Sequence, residues 1–318
     1  MKNLKKFILT FLCVISLISN TTFTSAAMDN EGSIEIPYVF PITPGTTEWE
    51  ELETIEDKIN ACQIPDDILR NLSTSALLET ISNYPLAVNL YAYDSLNEGY
   101  NKVKEQFNGL AELDRRMKVI PNATASAIET YSHTMKNSKL SGNDYKTYYM
   151  NRIIQATKTV LVSNLSRASA SYVYTPNDSP VEASYNQTWS DVGISQSEAI
   201  SLHYAALTTY SSATALRDPN PKYNCHSYAW HSTLSSNSYW IADPSEYITD
   251  GSYSRVYNYY IGAKILYGTP GSSPEHSAII SGVSGNRLTY VTSKWGALGL
   301  YKHLYYDSPY RSNVTSYR

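Results

Sequence analysis

Cys225 and His276 are the residues of this 318-residue chain whose types and setting could do chemistry together. Pro219 and Pro221 precede Asn224, a good helix cap, so a short helix is predicted over residues 224–233 with Cys225 at its start. A thiol in that position meets free backbone N–H groups and the positive end of the helix dipole, which favour thiolate over thiol. The same N–H groups suit a developing oxyanion. His276 begins an apolar run, residues 276–280, after the loop 268–275, which puts its imidazole at the edge of a sheet. A neutral ring there can take the thiol proton and return it to a leaving amine. The alternative for Cys225 is a buried small hydrophobe or half of a disulfide with Cys62, and bridging would need α-carbons within about 7 Å.

A third group should orient the imidazole. Residues 284–287, Ser-Gly-Asn-Arg, read as a hairpin turn between two strands. With a two-residue turn, Ser293 shares the face of His276 and Lys294 points the other way; a three-residue loop reverses this, and a backbone carbonyl could serve instead. His226 should point away from the Cys225 cleft, His231 reads as a surface or packing residue, and His133, His203 and His303 lack a partner pattern. No H-x-x-x-H, C-x-x-C or paired-carboxylate ligand set is visible, so no metal is predicted, and no glycine-rich phosphate loop points to a cofactor.

These residues need elements to hold them. Residues 28–45, rich in proline, read as an extended leader, followed by a helical domain over 46–165. Thr47 with Glu50 and Ser95 with Glu98 have capping-box spacing ahead of apolar residues three and four apart. Short helices are expected before Tyr84-Pro85, and a long one over 143–165. Residues 166–217 form a connector, with a hairpin at 171–174 and 181–185 and a helix over 196–216 that ends at Asp218-Pro219-Asn220-Pro221. Residues 218–318 then give a helix followed by tyrosine-rich strands at 256–261, 263–267, 277–283 and 288–293. The predicted class is α+β, a helical domain followed by a helix packed on a small antiparallel sheet.

Lys2, Lys5 and Lys6 precede an apolar run from Phe7 to Ile18, and Ser25, Ala26 and Ala27 supply a cleavage site, so residues 1–27 read as a secretory signal peptide. No later stretch reaches about 18 consecutive apolar residues, and no membrane anchor is expected after cleavage. Residues 28–120 carry 7 Lys and Arg against 17 Asp and Glu, 7 − 17 = −10, whereas residues 219–318 carry 8 against 5, 8 − 5 = +3. Neither balance is basic enough for nucleic acid. With Cys13 lost in the signal, Cys62 and Cys225 are too few for a disulfide scaffold.

The run Tyr223-Asn224-Cys225-His226-Ser227-Tyr228-Ala229-Trp230 and, 51 positions after the cysteine, His276-Ser277-Ala278-Ile279-Ile280 resemble the NlpC/P60 and CHAP superfamily of papain-like cell-wall cysteine peptidases and amidases. The resemblance covers residues 218–318. It implies Cys225 as nucleophile, His276 as base and Ser293 nearest to the third residue. The family's Gly-Asp before the histidine strand stands here as Gly262-Ala263, and its third residue is commonly His, Asn, Gln or Glu. Residues 86–116 also resemble a helical region of uncharacterised secreted proteins of Gram-positive bacteria. The implied activity is that of a secreted, cell-wall-associated thiol hydrolase acting on peptidoglycan stem peptides or on a secreted protein. Two rivals are a non-catalytic binding protein on a degenerate papain-like scaffold and an acyl transferase or toxin-like protein hydrolase.

Overall fold

The computed structural model describes residues 33–137, 145–159, 171–268, 274–311 and 313–318, so the expected signal peptide and residues 160–170 of the expected long helix and seam lie outside the described residues. The chain is a mixed α+β protein. Its helical half holds α1 (Thr47–Glu50), α2 (Ile55–Ala61), α3 (Asp66–Asn71), α4 (Thr74–Ser82), α5 (Leu96–Gln106), α6 (Asn108–Val119), α7 (Pro121–Asn137) and α8 (Tyr145–Thr159).

Side-chain caps account for four of these starts. Thr46, not Thr47, caps α1 by accepting from the Trp49 N–H, and Thr54 with Asp57 forms a capping box that starts α2 anew. The single helix expected through Leu52 and Ile59 is therefore two. Ser73 caps α4 and Ser95 caps α5, the latter as its spacing with Glu98 predicts. The apolar stripe from Tyr100 to Leu113 is broken at Phe107, whose extended backbone separates α5 from α6.

Beyond the helical half, the expected hairpin is found as β1 (Ser171–Tyr174) and β2 (Pro180–Tyr185), joined by β4 (Tyr239–Trp240). Helix α9 (Gln196–Thr209), with a Ser195/Glu198 capping box, stops short of the expected 216, and β3 (Thr214–Arg217) follows. The main sheet adds β5 (Arg255–Val256), β6 (Lys264–Tyr267), β7 (His276–Ile280), β10 (Tyr290–Lys294), β11 (Leu300–Leu304) and β12 (Val314–Tyr317). Its strand order is β3-β11-β10-β7-β6-β12-β5, with every neighbouring pair antiparallel. Between β7 and β10 a small ribbon, β8 (Val283–Ser284) with β9 (Arg287–Leu288), turns through Gly285 and Asn286. Gly285 at φ 60° takes the left-handed region that a two-residue hairpin turn needs. The strand expected at 256–261 is reduced to Arg255–Val256; α7, β11 and β12 have no counterpart in the sequence reading.

The two faces of this sheet serve different partners. Ile265, Tyr267, Ala278, Ile280 and Val291 belong to one continuous core with Trp49, Leu77, Tyr91, Val103 and Met150 of the helical half. Leu266 lies in a second cluster with Ala229, Trp230 and Tyr247 from the segment after Cys225, and Ile279 packs against it. Directional bonds reinforce the first interface. Trp49 Nε1 donates to Thr209 O at 2.8 Å, Tyr210 Oη to Asn89 Oδ1 at 2.6 Å, Tyr93 Oη to Pro309 O at 3.0 Å and Tyr310 Oη to Ala92 O at 2.6 Å. A buried ion pair joins Lys58 of α2 to Asp307 beyond β11. Gly296 marks a close approach: a Cβ there would lie 2.8 Å from Tyr91 O and Tyr93 O. Residues 91–93 are thus pressed onto the turn after β10.

Candidate active site around Cys225

Asn224 builds the local structure. Its Oδ1 accepts from the backbone N–H of Ser227 at 3.1 Å and of Ile241 at 3.2 Å, and its Nδ2 donates to Ile241 O at 2.6 Å and to Asp94 Oδ2 at 2.6 Å. Cys225 therefore opens a helix, residues 225–231, as Asn224 predicts. Its last part, Ser227–His231, is a wide π turn packed on β6, β7 and β10. The turn carries Trp230 Nε1 and His226 Nδ1 to the Ser277 hydroxyl at 2.8 and 2.7 Å. His226, expected to point away, is buried against the sheet.

Cys225 is a free thiol, as is Cys62, so no bridge joins them. Its side chain is 2% exposed. Burial pushes the thiol well above its usual range; Asp94 adds to this, while the backbone N–H groups of Ser277 and His226 oppose it. Burial thus works against the thiolate that the helix start favours. The end of a short helix is worth about 0.3–1 kcal/mol, whereas full burial of a charge shifts a pKa by up to 3–5 units, each about 1.4 kcal/mol, so burial wins.

His276 starts β7, opposite Tyr267, and is 0% exposed. Its ring stacks on Tyr310 with centroids 3.5 Å apart and planes at 8°, and lies 5.2 Å from the Tyr267 ring. Neither ring nitrogen has a hydrogen-bond partner among the described residues. Burial, followed by the neighbouring His303 and His226, holds its pKa well below the usual histidine range. Alternation places Ser277 and Ile279 toward the Cys225 helix and His276, Ala278 and Ile280 toward the helical half. Cys225 faces the Ser277 backbone, one residue from His276, and no hydrogen bond joins the Cys225 and His276 side chains among the described residues.

The two-residue turn sets the parity that the sequence reading tied to it: the register Val291↔Ile280 puts Ser293 on the His276 face and Lys294 on the other. Ser293 nevertheless does not orient His276. Its Oγ bonds His303 Nε2 at 2.8 Å and accepts from Trp295 Nε1 at 3.1 Å. His303 Nδ1 lies 2.8 Å from Leu304 O, and a carbonyl only accepts, so Nδ1 carries the hydrogen and Nε2 receives the serine hydroxyl. This partner was hidden because β11, which brings His303 opposite Val291, was not expected.

Two further residues join Cys225. Lys294, 0% exposed, donates to Asn220 O, Gly296 O and Leu298 O at 2.9, 2.8 and 2.6 Å, and burial pulls its pKa to about 7 while Cys225 and Asp94 act against that shift. Asp94, half-buried as a residue but with its carboxyl turned inward, is pushed up to about 8 by burial and then by Glu98; Asn224, Lys294 and Trp240 pull the other way. No family model, curated protein or solved structure matches this chain.

No cluster of three or more His, Cys, Asp or Glu among the described residues could hold a metal ion, and no described helix is long and apolar enough to cross a membrane. A groove of about 800 Å³ lies between the leader and α9, lined by Tyr38, Phe40, Pro85 and Tyr204, and neither Cys225 nor His276 borders it.

Proposed function

We propose that the chain is an exported thiol hydrolase, with a papain-like arrangement in residues 218–318, that cleaves an amide bond in peptidoglycan stem peptides. Cys225 is the nucleophile and His276 the base, and the described arrangement is a closed form in which both are neutral. The observation that carries this reading is His276 itself. A buried imidazole with neither nitrogen partnered among the described residues costs about 1–3 kcal/mol for each unsatisfied group, and a catalytic role is one of the reasons native proteins keep such groups. It adjoins Ser277, whose backbone N–H faces the free Cys225 thiol.

In the reaction the thiol proton passes to a ring nitrogen of His276 while sulfur bonds to the carbonyl carbon. The same proton then leaves with the amine as the C–N bond breaks, giving a thioester, and water adds to release the acid and restore the thiol. Residues 91–94 must withdraw for a substrate to reach either group. The test incubates the mature chain, intact and after limited proteolysis of its helical half, with purified muropeptides and follows new amine and carboxyl ends by mass spectrometry. Cleavage lost in Cys225→Ser and in His276→Ala is the expected result. Absence of cleavage by every form overturns the reading.

A second reading is favoured by the burial of both residues: a secreted binding protein on a retired scaffold. Its surface would be the tyrosines on the β1–β2 ribbon, Tyr172, Tyr174 and Tyr185, which are 54%, 61% and 60% exposed.

A further inference from the structure

We propose that Asp94, supplied by the helical half, is a positioning residue of the Cys225 site that acts on the nucleophile through Asn224 and through its own charge. The proposal rests on the reading of Cys225 as a nucleophile. Asp94 sits between the 3-10 helix Ala87–Tyr91 and Ser95, the cap of α5. It is separated from Asn224 by 130 positions, yet the two side chains are joined at 2.6 Å. Asn224 is 0% exposed, and its amide and carbonyl are both committed, to Asp94, Ser227 and Ile241. Without the Asp94 oxygen one buried amide hydrogen is left unpaired, at the residue that starts the Cys225 helix.

The charge acts directly as well. The groups facing the Asp94 carboxyl are Glu98 on α5, Asn224 and Cys225 at the helix start, Lys294 on β10, Trp240 on β4 and Tyr310 after β11. A carboxylate beside a thiol opposes formation of a second negative charge, and the Lys294 ammonium opposes the carboxylate. Groups from both halves thus bear on the ionisation of Cys225. When residues 91–94 withdraw from the site, the turn loses its brace and the thiol loses a neighbouring carboxyl that opposes thiolate formation once it ionises, above about pH 8.

The experiment uses the mature full chain carrying [13Cβ]cysteine, whose chemical shift reports ionisation whether or not solvent reaches the sulfur. Cys62, held up by burial alone, is the internal reference. Asp94→Asn keeps an oxygen for the Asn224 amide and removes the charge. Its Cys225 midpoint is expected to fall by about one pH unit, a tenfold rise in thiolate at a given pH, with Cys62 unmoved. Glu98→Gln, the second carboxyl that raises the Cys225 thiol, shifts it the same way by less and carries the test if Asp94→Asn does not fold. Asp94→Ala, which also removes the oxygen, adds faster amide exchange at Ser227 and Ile241. Identical Cys225 curves in wild type and variants, together with unchanged amide exchange at Ser227 and Ile241 in Asp94→Ala, overturn the proposal. Failure of the hydrolase reading would show differently, as absent cleavage with the Cys225 midpoint still shifted.

Discussion

Lowering the pH should unfold this protein through its buried histidines, by an amount that can be worked out. His226 and His303 are held to a pKa of about 4 by burial and His276 is held well below its usual value, while the unfolded chain protonates each near 6.5. All three are 2% exposed or less. Above pH 6.5 both states are neutral at these rings and nothing is lost. Between about 6.5 and 4 the unfolded chain binds three protons that the folded chain refuses, so stability falls by about 1.4 kcal/mol per histidine per pH unit, roughly 4 kcal/mol per unit for three. Asp94 works in the opposite sense. Its raised folded pKa of about 8 means the folded chain holds a proton that the unfolded chain binds only near 3.9, which returns about 1.4 kcal/mol per unit over the same window. The net slope is about 2.7 kcal/mol per unit, and two units remove about 5 kcal/mol, the lower end of ordinary domain stability. Urea melts followed by tryptophan fluorescence at half-unit steps from pH 7 to 4.5 measure this slope directly. In His303→Gln it should drop by about 1.4 kcal/mol per unit. A free energy that stays flat between pH 6.5 and 5, or a slope unchanged in that variant, would refute the assignment of these rings as buried neutral groups.

Two other outcomes test the packing. Lys58→Met leaves the Asp307 carboxylate buried and alone, with the two side chains 2% and 4% exposed, and should cost about 3–5 kcal/mol in urea melts; the double variant Lys58→Met/Asp307→Leu should recover much of that. Ser293→Ala removes the hydroxyl that His303 Nε2 receives and should cost about 1–3 kcal/mol without moving the Cys225 carbon resonance, because Ser293 serves the core rather than the nucleophile.

Local signals were legible where the physics is local. Ser95 with Glu98, the β1–β2 hairpin, the Gly285 turn and the start of a helix at Cys225 all depend on a few neighbouring residues and are found where the sequence puts them. The break at Phe107 was not, because apolar spacing continues across it and packing decides whether one helix or two forms, and the second start at Thr54 carries a local signal, its capping box with Asp57, that the continuous apolar spacing masks. His303 and Asp94 were passed over for a related reason. Each has its partner on another element, Val291 and Ser293 across a strand pair for the first and Asn224 across 130 positions for the second.

By itself, then, the sequence determined the residue types at the site and their order, and it tied the parity of the hairpin to the length of a turn that the structure shows to be two residues. What only the tertiary structure decided is their state. Whether Cys225 is thiolate or thiol depends on how much water and charge surround it, and Asp94 and Glu98 of the helical half are among the charged groups that bear on it. Burial of that kind sums contributions from segments far apart in the chain, and no spacing within either segment records it.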